Sequence, residues 1–121
     1  MITQQTITAT VAAGATTATA DSELINGEIL KVAFDVTGNS MDINLDSLGE
    51  QKAQAIIDYT GNTDSTFYPR TPTVDNAGAA NSLYAATFPV QTPFVVYGKT
   101  RLSLANAAPA ETVTMTITYR T

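Results

Sequence analysis

From Thr112 to Thr121 apolar residues and threonines take turns, with Val113, Met115, Ile117 and Tyr119 on one side and Thr112, Thr114, Thr116 and Thr118 on the other. A strict two-residue period rich in β-branched and aromatic side chains predicts a strand with one dry face and one wet face. The same grammar recurs along the chain. Ile7, Ala9 and Val11 alternate with Thr6, Thr8 and Thr10, and Thr16 to Ala20 resume an extended path after Ala12-Ala13-Gly14-Ala15. Leu30, Val32, Phe34 and Val36 alternate with Ile29, Lys31, Ala33 and Asp35, which predicts the best central strand. Met41, Ile43 and Leu45 alternate with Asp42, Asn44 and Asp46. Separated only by Thr37-Gly38-Asn39-Ser40, these two runs read as a β-hairpin.

Residues 47 to 58 fit two elements. Ser47 as N-cap with Glu50 three residues on suggests a short helix, which Gly49 weakens. A strand over Ala53 to Tyr59 is preferred. Asn26-Gly27 signals a turn, Gly61 to Ser65 and Asp75 to Asn81 read as loops, and Pro89 and Pro93 bracket a bend. Phe67 to Pro72 is too proline-rich for a central strand and reads as an edge or an extended crossing. Phe94 to Tyr97 runs as a strand. Lys99, Arg101 and Ser103 alternate with Thr100, Leu102 and Leu104, and Ala105 to Ala110 make the last turn.

About eight short strands at turn spacings near ten residues predict an all-β, single-domain antiparallel β-sandwich or jelly roll. At 121 residues one domain is expected, with no linker or internal repeat to divide it. Residues 1 to 20, Thr/Ala-rich and nearly free of charge, form either its first strand or an oligomerisation arm reaching a neighbouring subunit.

Composition narrows the chemistry. Charged residues make up 14% against a usual quarter or so, which suits a protein that meets a partner over a wide area with few charges to desolvate. A net charge of −5, with only six dispersed Lys and Arg residues, argues against nucleic acid as a partner. With no Cys and no His, disulfides, thiolate metal sites and the commonest general base are excluded. No apolar run approaches a membrane span, and Met1-Ile2-Thr3-Gln4-Gln5 lacks the features of a secretory signal, so a soluble chain made in a cytoplasm is expected.

Without His or Cys, the abundant Ser and Thr hydroxyls have only Lys or a carboxylate to activate them, and no Gly-x-Ser-x-Gly elbow is present. Asp42, Asn44 and Asp46 resemble the start of a calcium loop, but the glycine and distal Glu of an EF-hand are missing, and alternation explains them as the wet side of a strand. No spacing singles out a carboxylate pair for glycoside hydrolysis among the eleven acids. A lectin is disfavoured by 7% aromatics and no Trp. The expectation is therefore no enzyme, no metal and no cofactor. Lys99 and Arg101 share one side of a strand and Arg120 lies in the last one; they read as solvated edge charges or as a docking patch for an acidic surface.

The blocks Phe67-Tyr68-Pro69-Arg70, Asp75-Asn76-Ala77-Gly78-Ala79-Ala80 and Pro93-Phe94-Val95-Val96-Tyr97-Gly98-Lys99-Thr100-Arg101-Leu102, followed by the Thr-rich last strand, resemble the head decoration, or cement, proteins of tailed bacteriophages. The likeness covers roughly residues 60 to 121; the first half matches only through its Thr/Ala-rich start and Ile25-Asn26-Gly27-Glu28-Ile29-Leu30. The resemblance implies a homo-oligomer, a trimer, that binds the major capsid protein on the outside of the phage head and cements the shell. Lys99, Arg101, Arg120 and Arg70 are the candidate capsid or subunit contacts. The alternative is another virion component, such as a fibre base, a tail protein or a host-surface adhesin with a lectin-like sandwich.

Overall fold

The structure is a computed structural model that describes residues 1–49, 53–73, 76–79, 82–83, 88–89 and 91–121. Its strands in chain order are β1 (Ile2–Thr10), β2 (Ala18–Asp21), β3 (Gly27–Thr37), β4 (Met41–Ser47), β5 (Ala55–Gly61), β6 (Ser65–Phe67), β7 (Arg70–Pro72), β8 (Ser82–Leu83), β9 (Phe88–Pro89), β10 (Gln91–Pro93), β11 (Val95–Val96), β12 (Thr100–Ala105) and β13 (Thr112–Arg120). No helix occurs among the described residues.

Eight of these strands form two facing antiparallel sheets. One runs β1-β13-β3 with β6 on the far side of β3; the other runs β2-β12-β4-β5. Apart from the β4–β5 pair, each connection between them passes from one sheet to the other. That alternation is the jelly roll, which closes two sheets over one core. The five short strands β7 to β11 are inserted between β6 and β12; β7 pairs with β10, β8 with β9, and β11 returns to lie against Gly27 and Glu28 of β3.

The period-two pattern sorts itself as the pleat requires. Ile7, Ala9, Met41, Ile43, Leu45, Leu102, Leu104, Val113, Met115 and Ile117 are all buried between the sheets. Phe34, Tyr59 and Phe67 close one side of this core as a tilted aromatic triad, with ring centroids 5.4, 5.5 and 5.7 Å apart. The segment read as helix or strand is β5, a strand beginning at Ala55; Glu50 to Lys52, part of the helical alternative, lie outside the described residues. Ser47 ends β4, and its Oγ accepts from Gln54 N at 3.0 Å. Asp75, Ala80 and Asn81 of one expected loop, and Val90 of the expected bend, also lie outside the described residues.

Two expectations are corrected. The runs that became β3 and β4 do not form a hairpin. β3 is flanked by β13 and β6, β4 by β12 and β5, and the chain between them turns a corner from one sheet to the other. Glu111 explains the corner. Its buried carboxylate accepts hydrogen bonds from the backbone N–H of Ala108 (2.5 Å) and of Asn39, and its carbonyl accepts from Val11 N at 2.9 Å. Gly38, at φ +132°, lies so close to that carboxylate that a Cβ would overlap it.

The second correction concerns the facing of β3. Its alternation does not run through: Ile29 is fully buried, as are Val32 and Phe34, because the register with β13 slips between Thr118 and Tyr119 and leaves Leu30 unpaired. One extra residue in a ladder reverses the faces beyond it. A second slip, between Leu45 and Asp46, lets Ile56 and Ile57 both be buried.

Glu111→Ala strips two backbone donors of their acceptor at the corner. An unsatisfied buried donor costs about 1–3 kcal/mol, so urea unfolding should show a loss of at least that size, with Glu111→Gln falling between the variant and the parent.

Candidate functional site

The outward sides of the two sheets differ in chemistry. On the first sheet, β13 turns Thr112, Thr114, Thr116 and the buried Thr118 to this side, and β1 presents Gln4, Thr6, Thr8 and Thr10 beside them. The register places like opposite like, and the hydroxyls bond across the strands: Thr6 to Thr116 at 3.1 Å, Thr8 to Thr114 at 3.3 Å, Thr10 to Thr112 at 3.3 Å, and Gln4 Nε2 to Thr118 at 3.2 Å. Neither strand carries a charge on this side before Arg120. Lys31 and Asp35 border the field on β3, opposite Thr118 and Thr114.

The second sheet turns Asp21, Asp42, Asp46 and Asp58 outward, with Arg101 among them. Arg101 is held by one of these acids: Nε donates to Asp21 Oδ1 at 2.8 Å and Nη2 to Oδ2 at 3.1 Å. These bonds hold the Asp21 carboxyl below its ordinary value of 3.8 and raise the Arg101 guanidinium above its own ordinary value.

The four basic candidates do not converge. Arg101 belongs to the acidic sheet with Lys99 just before its strand β12, Arg120 lies at the end of β13 opposite Glu28, and exposed Arg70 begins β7. Two members of the Asp42-Asn44-Asp46 row bond to neighbouring side chains. Asp42 accepts from Thr60 Oγ1 (2.8 Å) and Asn106 Nδ2 (2.5 Å), and the Asn44 amide donates to Asp58 Oδ1 at 3.0 Å. Among the described residues no three His, Cys, Asp or Glu side chains gather as a metal site. Ser22 and Thr100, both buried, bond to each other at 3.0 Å and tie the end of β2 to β12.

A recess of about 420 Å³ opens where β5, an edge of one sheet, meets β6 at the edge of the other and the following strand β7. Ile56, Ile57, Phe67 and Phe94 supply apolar walls, while Asp58, Tyr68 and Arg70 bring a carboxylate, an exposed phenol and a guanidinium. Sequence reading did not assemble this recess, because its walls come from strands joined by no local pattern. It also passed over Glu111, although that residue is the only acid after Asp75 in the chain. No protein-family model, curated protein or solved structure matches this chain.

The Asp21–Arg101 pair makes a pH prediction with a defined sign. A carboxyl whose folded pKa is lowered contributes stability that is present above its unfolded value, near 3.8, and lost as pH falls through the folded value. Wild type should therefore melt slightly above Asp21→Asn at pH 7, with the gap closing below about pH 4. The gap should be small and salt-sensitive, because both side chains are exposed.

Proposed function

We propose that this chain is a non-catalytic structural protein that lies on the outer surface of a phage head, bound to the major capsid protein, and stabilises the shell. The observation that carries this reading is the charge-free threonine field of β1 and β13. Its hydroxyls already bond to one another, so a partner covers it without stripping water from an ion. The resemblance of residues 60 to 121 to cement proteins supports the same reading. Stabilisation then follows from mass action: a ligand that binds only the assembled shell stabilises it by its binding free energy, multiplied over symmetric copies. Assembly onto the head would follow synthesis in the host cytoplasm.

The test is sedimentation of the purified protein with undecorated heads of the virus that encodes it. Wild type should co-sediment and raise the temperature at which heads release DNA. Thr114→Arg, at the centre of the field, should fold normally and bind at least tenfold more weakly, a change of about 1.4 kcal/mol. Heads that neither bind wild type nor gain resistance would reject the reading.

The recess favours a second reading, an adhesin that holds a sugar. An aromatic ring beside a carboxylate and a guanidinium over an apolar wall is a chemistry that suits a polyol with one hydrophobic face. Glycan-array binding that Tyr68→Ala and Asp58→Asn each abolish would establish it, and a blank array would remove it.

A further inference from the structure

The free edge of β1 is unlike the other edges of the sandwich. β2 is four residues long and ends in the ion-paired Asp21; β5 contains Asp58 and the bulge at Ile56. β6 has three residues, and Asp64 Oδ1 accepts from Val36 N beyond it at 2.8 Å. β1 runs for nine residues with no charge, proline, glycine or register slip. Among the described edges of the two sheets, the devices by which sheets prevent edge-to-edge pairing are absent from β1 alone. Among the described residues it pairs only with β13.

The direction of its backbone groups follows from parity. Val11 N donates to Glu111 O, Ala110 N donates to Val11 O, and Thr121 N donates to Met1 O. Odd residues therefore turn N–H and C=O toward β13, and Ile2, Gln4, Thr6, Thr8 and Thr10 turn theirs outward. The close Thr6–Thr116 and Thr8–Thr114 hydroxyl contacts agree, since side chains approach most closely at the pairs that exchange no backbone bonds.

We infer that β1 is a homodimer contact in which two copies pair antiparallel about a two-fold axis at Thr6. In that register Ile2 meets Thr10 of the second copy, Gln4 meets Thr8, and the two Thr6 residues meet each other. Every outward donor then finds an outward acceptor, while a shift of two residues leaves one residue of each strand unpaired. The occupant is a second copy because the strand is its own complement in backbone and charge: every outward N–H has an outward C=O to meet, and none of the pairs Ile2–Thr10, Gln4–Thr8 and Thr6–Thr6 sets one charge against another. Two five-stranded sheets become one of ten strands, and the threonine field continues across the axis. The contact stands independently of the capsid reading, and at this edge it puts a two-fold in place of the three-fold that the family resemblance implies.

Light scattering on the purified full chain tests it. Wild type should have the mass of a dimer at tens of micromolar. Thr6→Lys and Thr6→Glu each set like charges directly opposite at the axis and should each be monomeric, with the dimer dissociation constant raised at least tenfold. An equimolar mixture of the two should recover a dimer, because only the mixed pair places opposite charges together. Thr8→Pro, which removes an outward N–H and no bond to β13, should also be monomeric, and it serves if a charged variant fails to fold. A monomeric wild type, a trimer indifferent to these changes, or charged variants that stay dimeric apart and unmixed would overturn the inference.

Discussion

The burial of β13 is the constraint on which the rest of the structure depends. It is bonded on both sides, to β1 and to β3, and Val113, Met115 and Ile117 are completely removed from solvent. A central strand leaves no backbone group for water and drives its whole apolar side into the opposite sheet. β1 comes from the opposite end of the chain, so this pairing closes the longest loop available. The local turns are consequences of that closure. They must deliver β12 to one sheet and β13 to the other, and β3 to one sheet and β4 to the other.

Glu111 is where those demands meet. Its carboxylate gathers the turn before β13 and the corner after β3, and its carbonyl holds the chain leaving β1. A buried carboxylate costs desolvation unless hydrogen bonds take up its oxygens, and here backbone donors take up both. Gly38 completes the arrangement by leaving space for the carboxylate. A polar group of this kind specifies a corner, where an apolar group would only fill space.

The two outer sides share a backbone architecture and differ in chemistry. One side is threonine bonded to threonine; the other is a row of aspartates, one of which holds Arg101. Such asymmetry directs partners. The acidic side keeps its water, and the neutral side and its free edge are the surfaces that can be covered at little cost in desolvation. The capsid-coating proposal and the β1 pairing both draw on this contrast, through different groups: side chains in the first case, outward N–H and C=O in the second.

Periodicity alone was enough for the class of fold. The alternating runs around Ile7, Met41, Leu102 and Met115 became strands with the predicted sides buried, because a side chain's facing in a strand is a local property of the pleat. The poverty of charge and the absence of His and Cys were legible in the same way. Tertiary structure decided what local pattern cannot carry. The run from Met41 fits a hairpin and a corner equally, and only the partners β12 and β13, sixty residues or so further along, choose between them. The facing of Ile29 was invisible because a bulge is a property of two strands, not one. The placement of the basic candidates was decided in the same way, since Arg101 lies in β12, Lys99 just before it, Arg120 at the end of β13 and Arg70 at the start of β7. Which edge remains open is set last of all, by which strands find no neighbour, and that is a fact of the assembled molecule.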